Sequence, residues 1–209
     1  MSAITIYYSP LSVALATFIA LEEAGADYEP RVIDFKTAEQ RSEQYLAINP
    51  KGRVPALATE RGIITETPAI LAYIAQTHPA AGLAPLDDPF AFGQLQAFNN
   101  YLCATVHVAH AHRLRGSRWV DDPAAIEAMK EKVPQTMTEC FTLIENELFR
   151  GPWVMGDNYS VADGYLFTVT QWLAGDSVDV EQFPSVADHS RRMQERPAVQ
   201  RAMKYRQVS

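Results

Sequence analysis

Cysteine is scarce in this chain: among 209 residues only Cys103 and Cys140 are cysteines, and neither stands in a C-x-x-C or Cys/His spacing. That leaves no framework for a disulfide-stapled fold and no ligand set for a structural zinc. Positive charge is also short, with 18 Lys and Arg against 25 Asp and Glu and a formal net charge of -7. A chain of that sign repels phosphate backbones and anionic headgroups, so neither nucleic acid nor a membrane is an expected partner. Long apolar runs are missing too; none approaches the roughly 20 residues that span a bilayer. The opening Met1-Ser2-Ala3-Ile4-Thr5-Ile6 has no basic stretch of the secretory kind, and acidic Glu22 and Glu23 follow soon after. A reducing, cytoplasmic location is expected.

What is present is an ordinary globular composition, 47% hydrophobic and 21% charged, which excludes a disordered chain. The length suits one or two modest domains with cores that need no covalent staples. Residues 3–77 alternate strand and helix signals. Residues 3–8 are short, β-branched and aromatic, and Ser9-Pro10 ends them. Residues 12–24 read as a helix stopped by Gly25, residues 28–34 as a strand, and residues 42–48 as a short helix closed by Asn49-Pro50. Residues 54–58 and 63–65 flank the turn Glu60-Arg61-Gly62, and residues 67–76 return to helix with Pro68 in the first turn. The order β-α-β-α-β-β-α implies a sheet with parallel pairs and one antiparallel hairpin. Residues 78–89, with Pro79, Pro85, Pro89 and Gly82, read as a linker, and residues 90–209 as a second, all-helical domain. Within it, Ser160-Val161-Ala162-Asp163 is a helix-opening box: the Ser160 hydroxyl can accept from the amide three residues on, and Asp163 can answer the Ser160 amide. The basic series Arg191-Arg192, Arg196, Arg201, Lys204 and Arg206 reads as a solvated face.

Three segments carry possible chemistry. In Asn49-Pro50-Lys51-Gly52-Arg53-Val54-Pro55-Ala56-Leu57, Pro55 opens a strand, where it cannot donate to the ladder. A cis bond before Pro55 would turn Val54's amide and carbonyl toward an outside chain, which could pair there as an added strand. An ordinary proline at the head of an edge strand fits the same residues. In Thr65-Glu66-Thr67-Pro68, Thr67 suits an N-cap and Glu66 stands just before the helix. Free amides there accommodate a carboxylate, while Glu66 can hold an amino group, which together suit the zwitterionic end of an amino acid; a plain capped helix fits equally. In Tyr8-Ser9-Pro10-Leu11-Ser12, a strand end meets a helix start, where hydroxyl donation and the helix end would stabilise a thiolate. A thiol of pKa ~8.5 needs a lowering of about two units, ~2.7 kcal/mol, to be anionic at neutral pH. One or two hydrogen bonds plus the dipole are of that size, although the segment also reads as a simple Ser-Pro turn.

Taken together and in this order, these segments resemble the cytosolic glutathione transferase family over essentially the whole chain. The specific parts are residues 49–57, the Thr65-Glu66-Thr67 step and the Ser160–Asp163 box; Tyr7-Tyr8-Ser9-Pro10 and Asn100-Tyr101 with His107 are most similar to the bacterial beta class. The resemblance implies an α/β thioredoxin-like N-terminal domain and an all-α C-terminal domain. It implies glutathione as co-substrate with no other cofactor and no metal, a small hydrophobic electrophile as second substrate, and a homodimer. Val54 and Pro55 would meet the cysteinyl backbone, Glu66 and Thr67 the γ-glutamyl end, Lys51 or Arg53 the glycyl carboxylate, and Asn100 and His107 would complete the glutathione site. One departure matters: the beta class has a cysteine where this chain has Val13, so a mixed disulfide with glutathione is not expected there. Ser12 is then the expected donor to the thiolate, with Ser9 and Tyr8 as alternatives. His110 and His112 read as packed or solvated, and Phe98, Tyr101, Trp119, Tyr165 and Trp172 mostly as core. The expected activity is conjugation of the thiolate to small apolar electrophiles; a glutathione-dependent isomerase or dehalogenase, or a non-catalytic binding protein of the same fold, are the rivals.

Overall fold

The structure, a computed structural model, describes residues 4–207. Alternating apolar residues make Ile4–Tyr8 the central strand β1, with Ile6 and Tyr8 buried on one face; Ala3 of the expected strand lies outside the described residues. The helix α1 (Ala14–Ala24) buries every residue from Ala14 to Leu21, which explains a stretch with no polar stripe. It ends where Gly25 turns left-handed at φ 61° and donates to the Glu22 and Leu21 carbonyls. Strand β2 (Tyr28–Val32) pairs parallel with β1. Helix α2 (Glu43–Ile48) starts on Ser42, whose hydroxyl accepts from the Tyr45 amide. Strands β3 (Ala56–Thr59) and β4 (Gly62–Thr65) form the expected hairpin, and α3 (Thr67–Thr77) buries Ile70, Leu71 and Ile74. The sheet order is β2-β1-β3-β4, with β3 antiparallel to β1. The fold of this half is thioredoxin-like, as expected.

Register decides where the site lies. Tyr7 of β1 faces Ala56 of β3, and Ala56 faces Thr65 of β4. The end of β1, the start of β3 and the end of β4 therefore meet at one end of the sheet's strands. Tyr8-Ser9, Val54-Pro55 and Thr65-Glu66 are neighbours for that reason alone.

The chain forms two compact units. The first unites the described residues up to Phe92 with those from Gln194 onward, so the last helix, α9 (Pro197–Met203), does not join the second unit as the reading of residues 90–209 expected. Its physical cause is a set of contacts to α1. Arg196 pairs with Glu23 through two bonds of 2.6 and 3.0 Å, Arg201 Nε reaches Glu22 at 2.5 Å, and Tyr205 stacks on Phe18 with centroids 4.0 Å apart. The basic series is thus in part an ion-pairing strip rather than a solvated face.

The second unit, residues 93–193, is helical. Helix α4 (Pro89–Tyr101) continues through a wider turn, Leu102–Val106, into α5 (His107–Arg115). Helix α6 (Pro123–Leu143) continues through a similar turn, Ile144–Leu148. Helices α7 (Val161–Thr170) and α8 (Pro184–Glu195) follow, and α9 (Pro197–Met203) closes the series. Every residue of α7 is buried, so its exposed-end problem must be solved locally. Both arms of the box at Ser160 and Asp163 form. The fully buried Asp163 accepts from the Ser160 amide at 2.8 Å, the Val154 amide at 2.8 Å and His189 Nε2 at 3.0 Å. One carboxylate therefore ties the start of α7 to the preceding loop and to α8. No helix among the described residues is long and apolar enough to cross a membrane.

Removing Asp163 takes the acceptor from four buried donors, the Ser160 and Val154 amides, the Ser160 hydroxyl and His189 Nε2. Asp163→Ala is expected to cost about 3 kcal/mol, the sum of a lost cap and unsatisfied buried groups. Trp119, Trp153 and Trp172 are the three tryptophans and all lie in the second unit, so urea denaturation followed by tryptophan fluorescence reads that loss directly.

Candidate functional site

The site is built around the Arg53 carbonyl. Tyr45 on α2 donates its hydroxyl to that oxygen at 2.7 Å, and the Asn49 side-chain amide donates to it at 2.7 Å. Both side chains are buried, at 2% and 1% exposure. Asn49 also accepts from the Lys51 amide at 3.2 Å, and its carbonyl accepts from Gly52 at 2.9 Å. Gly52 takes φ 60°, and a Cβ there would lie 2.9 Å from the Gln40 carbonyl, so only glycine fits the turn. The loop is held from behind by α2 and delivers Val54 to the head of β3.

The Val54–Pro55 bond is cis. β3 starts at Ala56, two residues later than the sequence suggests, because Pro55 has no N–H for the ladder. Among the described residues no hydrogen bond takes up the Val54 amide or carbonyl. An unpaired donor and acceptor on one residue just ahead of a strand are the requirement for pairing with an extended peptide.

At the end of β4, Glu66 occupies the cap position of α3 with φ 75° and ψ 123°. The sequence placed Thr67 as the cap; it is instead the first helical residue, and Pro68 stands in the first turn as expected. A non-glycine residue at such a φ costs about 1–3 kcal/mol and persists where the surroundings enforce it. Here Lys51 does so in part: its ammonium bonds the Glu66 carboxylate and, at 2.6 Å, the Thr65 hydroxyl. The strained turn leaves the Thr67 hydroxyl and the first amides of α3 beside a carboxylate and a cation, a set that complements both charges of a free amino-acid end. Arg53 is exposed next to it.

The third segment separates the candidate hydroxyls. Leu11 takes φ 60°, so the turn from Ser9 to Val13 precedes α1, which begins at Ala14 rather than residue 12. Ser12 Oγ donates to the Ser9 carbonyl at 2.6 Å and accepts from the Ala14 amide at 3.3 Å. The Ser9 hydroxyl has no partner among the described residues. Tyr8 is buried edge-on against Phe18, with centroids 4.8 Å apart, and burial followed by Tyr205 pushes its hydroxyl above 10.0. Val13 is 5% exposed and offers no polar group.

Asn100 and His107 belong to the second unit. Asn100 is exposed and donates its amide back to the Gln96 carbonyl at 2.8 Å. His107 lies 4.9 Å from Trp172, ring centroid to ring centroid. His110 is packed, as expected: it stacks on Trp172 at 4.3 Å and bonds the fully buried Asp176 at 2.7 Å, while Arg113 reaches the same carboxylate at 3.1 Å. His112 sits edge-on to Trp119 at 4.5 Å. The sequence reading missed Tyr45 and Asn49 as supports. Their only signal was a polar pair at the end of a short helix just before Pro50.

A thioredoxin-like sheet with unpaired backbone groups just ahead of β3, followed by an all-helical unit, defines the class of protein. The comparisons narrow it. The N-terminal domain description of glutathione S-transferase matches residues 3–76 and the C-terminal domain description matches residues 94–197. The chain is similar to the glutathione S-transferase GstA of Escherichia coli O157:H7, 31% identical over 95% of this chain and 96% of that protein. It is similar in structure to a glutathione transferase homologue from Sulfitobacter with bound glutathione, at 45% identity, TM-score 0.94 and coverage of 98% of both chains. It also resembles the beta-class glutathione S-transferase of Sphingomonas chungbukensis, at 30% identity and TM-score 0.84, over 98% of this chain and 100% of that one. The chain belongs to the glutathione S-transferase family.

Burial pushes the Tyr45 hydroxyl from 10.0 up to about 12, with Tyr7 and Glu39 adding to the rise and Asn49 opposing it. Its contribution to stability is whole below pH 10 and is lost as pH climbs toward 12, because the unfolded chain releases that proton first. Tyr45→Phe is expected to cost about 1 kcal/mol at neutral pH. It also makes the alkaline decline shallower by up to about 1.4 kcal/mol per pH unit. Denaturant midpoints measured from pH 7 to 12 check both.

Proposed function

We propose that this protein conjugates the thiolate of glutathione to small hydrophobic electrophiles. The observation that carries the reading is the Val54 amide and carbonyl, unpaired among the described residues and held just ahead of β3, at the end of the sheet where β4 leads into the Glu66–Thr67 turn. The glutathione in the Sulfitobacter homologue, at 45% identity, supports the ligand. In this reading the cysteinyl backbone of glutathione pairs with Val54 next to Pro55, and the γ-glutamyl carboxylate meets Thr67 and the α3 amides. Its amino group takes Glu66, and the glycyl carboxylate takes Lys51 or Arg53. Asn100 and His107 are further glutathione-binding candidates by resemblance alone. Glutathione is a substrate, and the chemistry needs no further cofactor. A homodimer in the cytoplasm belongs to the same proposal, supported by resemblance.

Ser12 is the donor we assign to the sulfur. Its proton rests on the Ser9 carbonyl, and turning it to a thiolate exchanges a neutral acceptor for a charged one, about twice as strong. Ser9 needs no such exchange and is the competing donor. Tyr8 is supported least, since its ring is buried in an aromatic cluster.

Calorimetric titration is expected to show glutathione binding, and ultraviolet difference spectra a bound thiolate near neutral pH; glutathione bound only as the thiol would remove the catalytic proposal. Ser12→Ala is expected to lower kcat for a chloronitrobenzene about tenfold or more, with a small change in glutathione affinity, and to raise the pH at which thiolate appears. If Ser9→Ala does this and Ser12→Ala does not, the assignment passes to Ser9.

Glu66→Gly separates strain from recognition. Relief of the positive φ offsets the exposed ion pair, so stability stays within about 1 kcal/mol of wild type. Glutathione affinity is expected to fall at least tenfold by calorimetry, and unchanged affinity would contradict the γ-glutamyl assignment.

A further inference from the structure

Three arginines of the C-terminal segment treat their charge differently. Arg196 and Arg201 are paired with Glu23 and Glu22. Arg206 is half-buried and, among the described residues, has no hydrogen bond or ion pair. It lines a small cleft with Ser9, Leu11, Ala14 and Tyr205, within the first unit. A guanidinium taken partly out of water without a counter-ion is unfavourable, and such groups are ordinarily paired. Burial lowers its pKa below the ordinary guanidinium value, whereas Glu22 raises that of Arg201.

A second observation bears on the same cleft. Leu11 is 56% exposed and held at φ 60°, a conformation glycine adopts at no cost. An exposed apolar side chain and a cation without a partner among the described residues thus line the same cleft. Ser9, one residue past β1 and part of the turn assigned to the thiolate, lines it too.

We infer that the mouth of this cleft, whose interior of about 10 Å³ holds no more than a water molecule, is a subsite for an anionic group on the second substrate, with Arg206 binding a carboxylate and Leu11 covering the adjoining apolar part. The favoured electrophile then carries an acid a short distance from its reactive carbon. The inference rests on the conjugation reading and names its substrate class. In the reaction the thiolate sulfur bonds to the ring carbon that bears chlorine, chloride leaves with the bonding pair, and the thiol proton goes to solvent. No oxidant or reductant enters. A guanidinium suits the role because its fork matches a carboxylate with two parallel hydrogen bonds.

The test compares chlorodinitrobenzoate with its methyl ester as electrophiles, using the full chain as wild type, Arg206→Met and Arg206→Lys. Wild type is expected to prefer the acid. Arg206→Met is expected to lower the acid-over-ester ratio of kcat/KM at least tenfold, chiefly through KM for the acid, and Arg206→Lys to recover part of it. A ratio that does not move, or an equal loss on both substrates, overturns the subsite; equal loss would put Arg206 at the thiolate or in the fold. Weaker glutathione binding by calorimetry in Arg206→Met, with the ratio intact, overturns it as well. If wild type binds no glutathione and converts neither compound, the conjugation reading fails on its own. The subsite is then decided by calorimetry with the benzoate alone: binding lost in Arg206→Met sustains it, and no binding to wild type, or equal binding to both, ends it.

Discussion

Two buried hydrogen bonds converge on one backbone oxygen, the carbonyl of Arg53, and the candidate site depends on them. Tyr45 and Asn49 each reach it at 2.7 Å from positions hidden from solvent. In a low-dielectric setting such bonds are stiff and costly to leave unmade. They fix the peptide that precedes Val54, so a loop otherwise free to move becomes a fixed approach to β3. Pro55 then keeps the ladder from claiming Val54, and the residue is left with its pairing groups unspent. The arrangement withholds backbone hydrogen bonds from the protein itself and makes them available to a ligand.

The rest of the site follows the same logic of groups held slightly out of their own preference. Glu66 is kept in a backbone region it would not choose, Leu11 is kept in another, and the Ser12 proton is parked on a neutral carbonyl. Each is a small cost near the place where a tripeptide and an electrophile would meet. Strain and unspent donors gather at functional sites because packing around them has been arranged to tolerate it. The second unit shows the opposite economy: the buried Asp163 accepts from several donors, and the buried Asp176 is bonded by His110 and neutralised by Arg113 at 3.1 Å.

Local features were legible in the sequence, and nonlocal ones were not. The β1 pattern, the Gly25 stop and the Ser160–Asp163 box are each written within a few residues and formed where expected, while β3 formed two residues late because of Pro55. The convergence of Tyr8, Val54 and Glu66 could be anticipated because strand order alone brings those ends together. Tyr45 and Asn49 escaped notice since their target is a carbonyl, which leaves no mark in sequence. The start of α1 at Ala14 rather than Ser12, and the departure of Thr67 from the cap, came with backbone angles at Leu11 and Glu66 that side-chain identity argues against. The Arg196–Glu23 and Arg201–Glu22 pairs join residues 173 and 179 positions apart, a separation at which composition and periodicity carry no information.

Those same pairs impose an order on biosynthesis. Helix α1 emerges from the ribosome early, yet the arginines and the tyrosine that cover it are translated only after the entire helical unit. The sheet domain must therefore wait, with Phe18 and the two glutamates of α1 uncovered, until the final stretch returns to it. The portion of the polypeptide made first is the portion finished last, and a fragment ending after α3 would lack the surface that its own first helix was shaped to receive.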